Sequence, residues 1–140
     1  MLTPEVVRDT FDVTDFVYGD PKAFYTHVAD DVSTTITGTD NPISGYYSSK
    51  KEWLTNSIER IASYMATPMT RTVTNVLVSG DWTMVEYTAK AMTKSGREYS
   101  QEFCWLCRFE GAMIVEIRIY MDSALVKNLF EVEEKKGSKS

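Results

Sequence analysis

Histidine and cysteine are almost missing from this chain: its 140 residues include one histidine, His27, and two cysteines, Cys104 and Cys107. A single histidine cannot form a cluster of histidine metal ligands, and no Ser–His–Asp set appears. The cysteines stand three apart in FCWLCRF, a spacing shared with redox and zinc motifs. That segment reads as a strand, however. Positions three apart in a strand face opposite ways and lie roughly 10 Å from each other, too far for a disulfide. Reduced thiols fit a cytoplasmic protein. No glycine-rich phosphate loop and no metal-spaced cluster occurs, so neither metal nor cofactor is expected.

Basic clusters are missing too. Lys and Arg number 15 against 20 Asp and Glu, a net charge of −5. Nucleic acid and anionic membranes are therefore not expected partners, because phosphate contacts need Lys and Arg. The one basic run, Lys135 to Lys139, belongs to a terminal stretch, 133–140, that reads as a flexible tail. No apolar run approaches the roughly 20 residues of a membrane span. The start, MLTPEVVRDT, has neither the basic nor the apolar region of a signal peptide.

What remains is an ordinary globular composition, 43% hydrophobic and 25% charged. It suits one domain, over 1–132, able to build its own core. Thr3-Pro4-Glu5 starts a helix: a capping hydroxyl, a proline in the first turn and an acid near the positive end. Val6, Val7, Phe11, Thr14 and Val17 recur at helical spacing, and Gly19 ends the run. Asp20-Pro21 starts a second helix reaching about Ala29. Val32 to Thr37 alternates and is rich in β-branched residues, hence a strand. GTDNPISGYY, Gly38 to Tyr47, reads as a loop. Ser49 and Glu52 have capping-box spacing before a third helix with Trp53, Leu54, Ile58, Ile61, Ala62 and Met65 on one stripe. Thr67-Pro68 ends it.

Four strands follow at about 70–79, 82–93, 98–110 and 113–121, separated by the turns Gly80-Asp81, Lys94-Ser95-Gly96 and Glu110-Gly111-Ala112. The last strand, IVEIRIYMDS, places Val115, Ile117 and Ile119 on one face and Glu116 and Arg118 on the other. Asp122 is placed to cap a final helix carrying Leu125, Val126, Leu129 and Phe130. Helices first and an antiparallel run afterwards predict an α+β fold. Three helices against one face of a curved antiparallel sheet leave a cone whose far end can be a cavity.

This order resembles the nuclear transport factor 2-like fold in its polyketide cyclase-like, or SnoaL-like, branch. Two stretches carry the resemblance: YTHVADDVSTTITGTDNPISGYYSSKKEW, and the closing hairpin EFCWLCRFEGAMIVEIRIYMDSALV with its R-x-Y-x-D ending. It spans nearly the whole chain and is more specific for fold than for chemistry, because the fold hosts isomerases, cyclases, dehydratases, epoxide hydrolases and binders. In ketosteroid isomerases the resemblance would put an aspartate base at Ile36. Epoxide-hydrolase-like members would have Tyr and Asn at Thr34 and Ile36, Arg and Asp at about Tyr87 and Ala89, and a second Asp at Ile119. Both carboxylate-based mechanisms are therefore expected to be absent. A register shift of one residue would instead turn Glu86 inward.

By resemblance, Ile117 and Ile119, with Val115, face the family's cavity, as do Phe103, Trp105, Cys107 and Phe109. Glu86, Thr88, Lys90, Arg108, Glu116 and Arg118 then share the outer face. Members of the fold commonly dimerise there, and a homodimer through that face is expected; a plain solvated sheet is the alternative. Tyr87, His27 and Asp122 are the catalytic candidates. Tyr87 can donate to a carbonyl or stabilise an enolate, or be a core tyrosine. His27 can act as a general acid or base, or bind helix carbonyls. Asp122 can serve at the cavity mouth, or only as a cap. Tyr99 and Gln101 can hydrogen-bond a ligand or sit at the rim. With Thr34, Ile36, Trp53, Phe103, Trp105, Ile117 and Ile119 they complete the expected binding set. The large aromatics suit a flat apolar ligand or fill the space themselves. Implied is a cofactor-independent isomerase, cyclase or dehydratase acting on a hydrophobic polyketide- or terpenoid-like molecule. A non-catalytic binder and a protein-interaction module are the alternatives.

Overall fold

The computed structural model describes residues 2–12 and 24–138. Helix α1 is Pro4–Asp12, entered through Thr3, whose Oγ1 accepts from the Val6 amide at 3.2 Å. Val7 and Phe11, one turn apart, are its buried stripe. The expected continuation to Gly19, and most of the second helix, lie outside the described residues. Phe24 and Tyr25 are helical, but Val28 and Ala29 are not: strand β1, Val28–Ile36, begins four residues before the expected Val32. The exposed Asp30-Asp31 pair masks that start, and the pairing register shifts between Val28 and Ser33 to accommodate it.

Strand β2, Gly45–Tyr47, lies in the stretch expected to be all loop and pairs antiparallel with β1. The connection is tight. Asn41 Oδ1 accepts from the amides of Ile43 and Ser44, both at 2.9 Å, and a Cβ on Gly38 (φ 113°) would lie 3.2 Å from both Asn41 and Ser44. The single third helix expected from Ser49 to Met65 is two: α2, Lys50–Asn56, and α3, Ile58–Ala62. Ser49 caps α2 as its spacing predicts, its Oγ accepting from Glu52 N at 3.1 Å. The break falls at the buried Ser57, whose hydroxyl donates to the Trp53 carbonyl at 2.5 Å and so competes with the helical ladder.

The remaining strands match the expected spans closely: β3, Thr70–Ser79; β4, Trp82–Met92; β5, Glu98–Glu110; β6, Met113–Met121. The curved, unclosed sheet has the order β2-β1-β6-β5-β4-β3. It is mixed rather than wholly antiparallel, because β1 runs parallel to β6. Trp105, Cys107 and Phe109 are buried on the concave face, and Phe103 is half-buried. Glu86 is exposed, which settles the hairpin register. Val115 is the correction. Arg108 pairs with Glu116 while Phe109 pairs with Ile114, so β6 carries one extra residue there. Ile114 is fully buried in place of Val115, and Ile117 and Ile119 keep their expected facing.

Asp122 caps helix α4, Ser123–Ser138, with Oδ1 accepting from Ala124 N at 3.0 Å. Val126, Leu129 and Phe130 are buried, and Phe130 meets Tyr64 edge-on at 5.0 Å. The helix runs on through most of the stretch read as a tail. There the Glu133 carboxylate is buried and accepts from Ser95 N at 3.2 Å and Ser95 Oγ at 2.5 Å. This joins α4 to the β4–β5 turn.

Candidate functional site

Between α3 and the sheet lies an apolar cavity of about 20 Å³. Ser57, Ile58 and Ile61 line it from the helix, and Ile43 and Met69 from flanking loops. Ile36, Tyr87, Tyr99, Phe103, Trp105, Ile119 and Met121 form the sheet side. Such a volume holds about one water. The expected cone is therefore mostly filled. Trp53 and Trp105 stand 5.7 Å apart, and Phe11 and Phe24 lie 5.7 and 6.0 Å from Trp105. These rings occupy the centre. Of the expected binding set, Thr34, Trp53, Gln101 and Ile117 are fully buried without lining the cavity. Two of them hold orphan donors: Thr34 Oγ1 and Trp53 Nε1 are buried with no hydrogen-bond partner.

The catalytic candidates do not converge. Tyr87 is on the cavity wall. Burial pushes its phenol well above the ordinary range, opposed by the Arg71 guanidinium. His27 lines a separate surface groove of about 590 Å³, with Leu2, Thr10, Asp81 and Phe109. Phe109 is four residues along β5 from Trp105, about 13 Å at strand spacing. His27 thus lies toward the other end of the strands. Asp122 is committed to the α4 cap, and its backbone pairs with Gln101. Alternation along a strand reveals which face a residue takes but not which end of a cone it serves. That is why His27 and Tyr87 looked combinable.

Arg71 went unremarked in the sequence. It pairs with Ala89 across the ladder, and its guanidinium lies 5.5 Å from the Phe11 ring and 5.6 Å from those of Phe24 and Tyr87. Its charge also lowers the Tyr25 phenol, although burial raises that group far more. Tyr99 is pushed up to about 12 by burial, partly offset by a hydrogen bond from Gln101, and keeps its proton at neutral pH. The residues lining the cavity therefore include two neutral phenols and no carboxylate, and the surface facing it is almost wholly apolar. Ile36, Ala89 and Ile119 occupy the places where the resemblance would put acids, and all three are buried.

Cys107 is buried and Cys104 partly exposed; both are free, and burial raises both thiols. Among the described residues no group of three His, Cys, Asp or Glu side chains is placed to hold a metal ion, and no helix is long and apolar enough to cross a membrane. On the convex face Glu116 pairs with Arg108 at 3.2 Å and Arg118 at 3.3 Å, while Arg118 lies 5.3 Å from the Trp82 ring.

A curved mixed sheet with helices across its concave face and an apolar interior defines the nuclear transport factor 2-like class. The profile of the SnoaL-like domain matches residues 7–117, and the chain belongs to that family. Solved structures agree on the fold. A nuclear transport factor 2-like protein from Burkholderia thailandensis E264 is 21% identical, with a TM-score of 0.73 over 93% of this chain and 98% of that one. A protein of ketosteroid isomerase-like fold from Catenulispora acidiphila DSM 44928, solved with trimethylamine, is 18% identical, with a TM-score of 0.68 over 89% and 91%. IdmH from Streptomyces antibioticus, described as a candidate polyketide cyclase, is 16% identical, with a TM-score of 0.68 over 91% and 96%. No functionally curated protein matches the sequence.

Proposed function

We propose that this protein binds a hydrophobic small molecule, polyketide- or terpenoid-like in its apolar bulk, on the concave face of the sheet, and isomerises, cyclises or dehydrates it without a cofactor. One observation carries the reading: the surface facing the cavity is almost wholly apolar, and the residues that line it bring only the Tyr87 and Tyr99 phenols, the Trp105 indole and the committed Ser57 hydroxyl close to it. Ligand pockets commonly span about 300–1,000 Å³, so binding must open this one. Met69, Met121 and the half-buried Phe103 are the side chains to move, since thioethers repack at low cost. The available chemistry is hydrogen-bond donation to a developing oxyanion, with shape and desolvation doing the rest.

Non-catalytic binding is the second reading, favoured by the distance of His27 from the cavity and the lack of any carboxylate on its wall. A homodimer through the convex face belongs to either reading, as does a cytoplasmic location. Leu77 and Tyr120 are exposed there beside the Arg108–Glu116–Arg118 charges. The test is a panel of polycyclic ketones and phenols followed by tryptophan fluorescence, because Trp105 is on the cavity wall, with chromatography of the products. Saturable quenching with product formation supports the enzyme. Saturable quenching without product supports the binder. Absence of any saturable change refutes both.

A further inference from the structure

Gln101 is fully buried on β5, and both ends of its amide are engaged. Its Oε1 accepts from the Asp122 amide at 3.1 Å, and its Nε2 donates to the Asp122 carbonyl at 3.0 Å. This two-way pairing with backbone fixes the amide's orientation. Turned over, it would set NH₂ against N–H and oxygen against oxygen. The second Nε2 hydrogen then has one destination, the Tyr99 phenol oxygen at 3.2 Å.

Tyr99 is thereby forced into a role. A phenol has one hydrogen, and an oxygen that accepts from an amide must send that hydrogen elsewhere. Among the described residues no acceptor receives it. Tyr99 is buried and its side chain lines the cavity, whose present surface is almost wholly apolar, so the hydroxyl meets a ligand once the cavity opens. We infer that Tyr99 is the hydrogen-bond donor to an oxygen of the bound molecule, a ketone, quinone or lactone carbonyl, and that Gln101 is the positioning residue that holds the phenol in its donating orientation. The backbone at the start of α4 fixes the amide, the amide fixes the phenol, and the phenol selects an acceptor over a hydrocarbon of the same shape. This rests on the small-molecule reading above and adds which atom discriminates among ligands.

The experiment compares 1-tetralone with tetralin, a ketone and its hydrocarbon counterpart, by tryptophan fluorescence titration of wild type, Tyr99→Phe and Gln101→Met. The wild type is expected to prefer the ketone by about fivefold to tenfold, the span of one net hydrogen bond. Tyr99→Phe is expected to erase that preference, so that the ketone and the hydrocarbon bind alike. The infrared carbonyl stretch of bound tetralone is a second readout: lowered in wild type and restored in Tyr99→Phe, a signature that a merely structural role would not move. Gln101→Met should leave a smaller preference and a broader carbonyl band. A ketone preference and a lowered stretch that survive Tyr99→Phe overturn the inference and leave the binding reading standing. Equal wild-type affinity for the two probes also overturns it alone. Failure of both probes to bind wild type at saturating concentration overturns the binding reading and the inference together.

Discussion

Replacing Glu133 with alanine tests whether the end of the chain is structural. Its carboxylate takes two hydrogen bonds from Ser95, through the amide at 3.2 Å and the hydroxyl at 2.5 Å. Its side chain is only 4% exposed, whereas that of Arg97, 3.9 Å away, is 40% exposed. Hydrogen bonds to a charged group contribute about 1.5–3 kcal/mol each, and an exposed ion pair under about 1 kcal/mol. Part of the gross 3–6 kcal/mol is offset by the desolvation that the carboxylate no longer suffers. The expected net loss is about 2–3 kcal/mol, or roughly 8 °C in Tm for a chain of this size. Urea unfolding of wild type, Glu133→Ala, Ser95→Ala and the double variant gives the coupling directly, provided the m-value is unchanged. If Glu133→Ala costs less than about 0.5 kcal/mol, as a solvated surface residue would, the clasp between α4 and the β4–β5 turn is not a source of stability.

Other expectations concern the interior, the thiols and the convex face. Tyr87→Phe should lower turnover of any converted ligand about tenfold or more, whereas His27→Ala should leave kcat/KM within about twofold; the reverse pattern would move the site to the His27 groove. The raised phenols set the alkaline behaviour. Tyr99 shifts from 10.0 to about 12, and its protonated form is favoured in the fold. That contribution is complete below pH 10 and is lost as pH rises toward about 12, so stability should fall through that window. Phenolate absorbance from the buried tyrosines should then rise together with loss of circular dichroism; a rise well before unfolding would contradict their burial. A maleimide should label the native chain slowly at Cys104 only, with Cys107 reacting after denaturation, read by mass spectrometry. Leu77→Asp should convert a dimer to a monomer in sedimentation if the convex face is the interface.

The sheet was legible where chemistry punctuates it. Gly80-Asp81, Lys94-Ser95-Gly96 and Gly111 mark the turns, and between them alternation put Tyr87, Tyr99, Phe103, Trp105 and Ile119 on one face, which the family resemblance made the cavity side. Legibility ended wherever a residue breaks the period. The extra residue at Val115 exchanges it for Ile114, and Ser57 divides a stripe that reads as one helix. On the opposite wall only the helix residues Ile58 and Ile61 were legible, from their stripe. Ile43 and Met69 come from loops, and on the sheet side Met121 comes from a strand end, where no periodicity ties a side chain to a face. The clasp at Glu133 was hidden by its surroundings, since an acidic and lysine-rich ending has the composition of a solvated tail.

The parallel seam between β1 and β6 has a consequence for how the chain comes to its fold. Thr37 donates its backbone N–H to the Ile119 carbonyl across 82 positions of sequence. The four later strands need only short reversals to find each other, so they can associate early and quickly. The first strand can pair locally with β2, but its other edge has no partner until the last strand exists. On the ribosome, the aromatic side chains of Phe11, Phe24, Tyr25 and Trp53 emerge long before the surface that buries them. For that interval the β6-facing edge of β1 and the apolar side chains beside it have no partner, and they stay exposed until residue 119 is made.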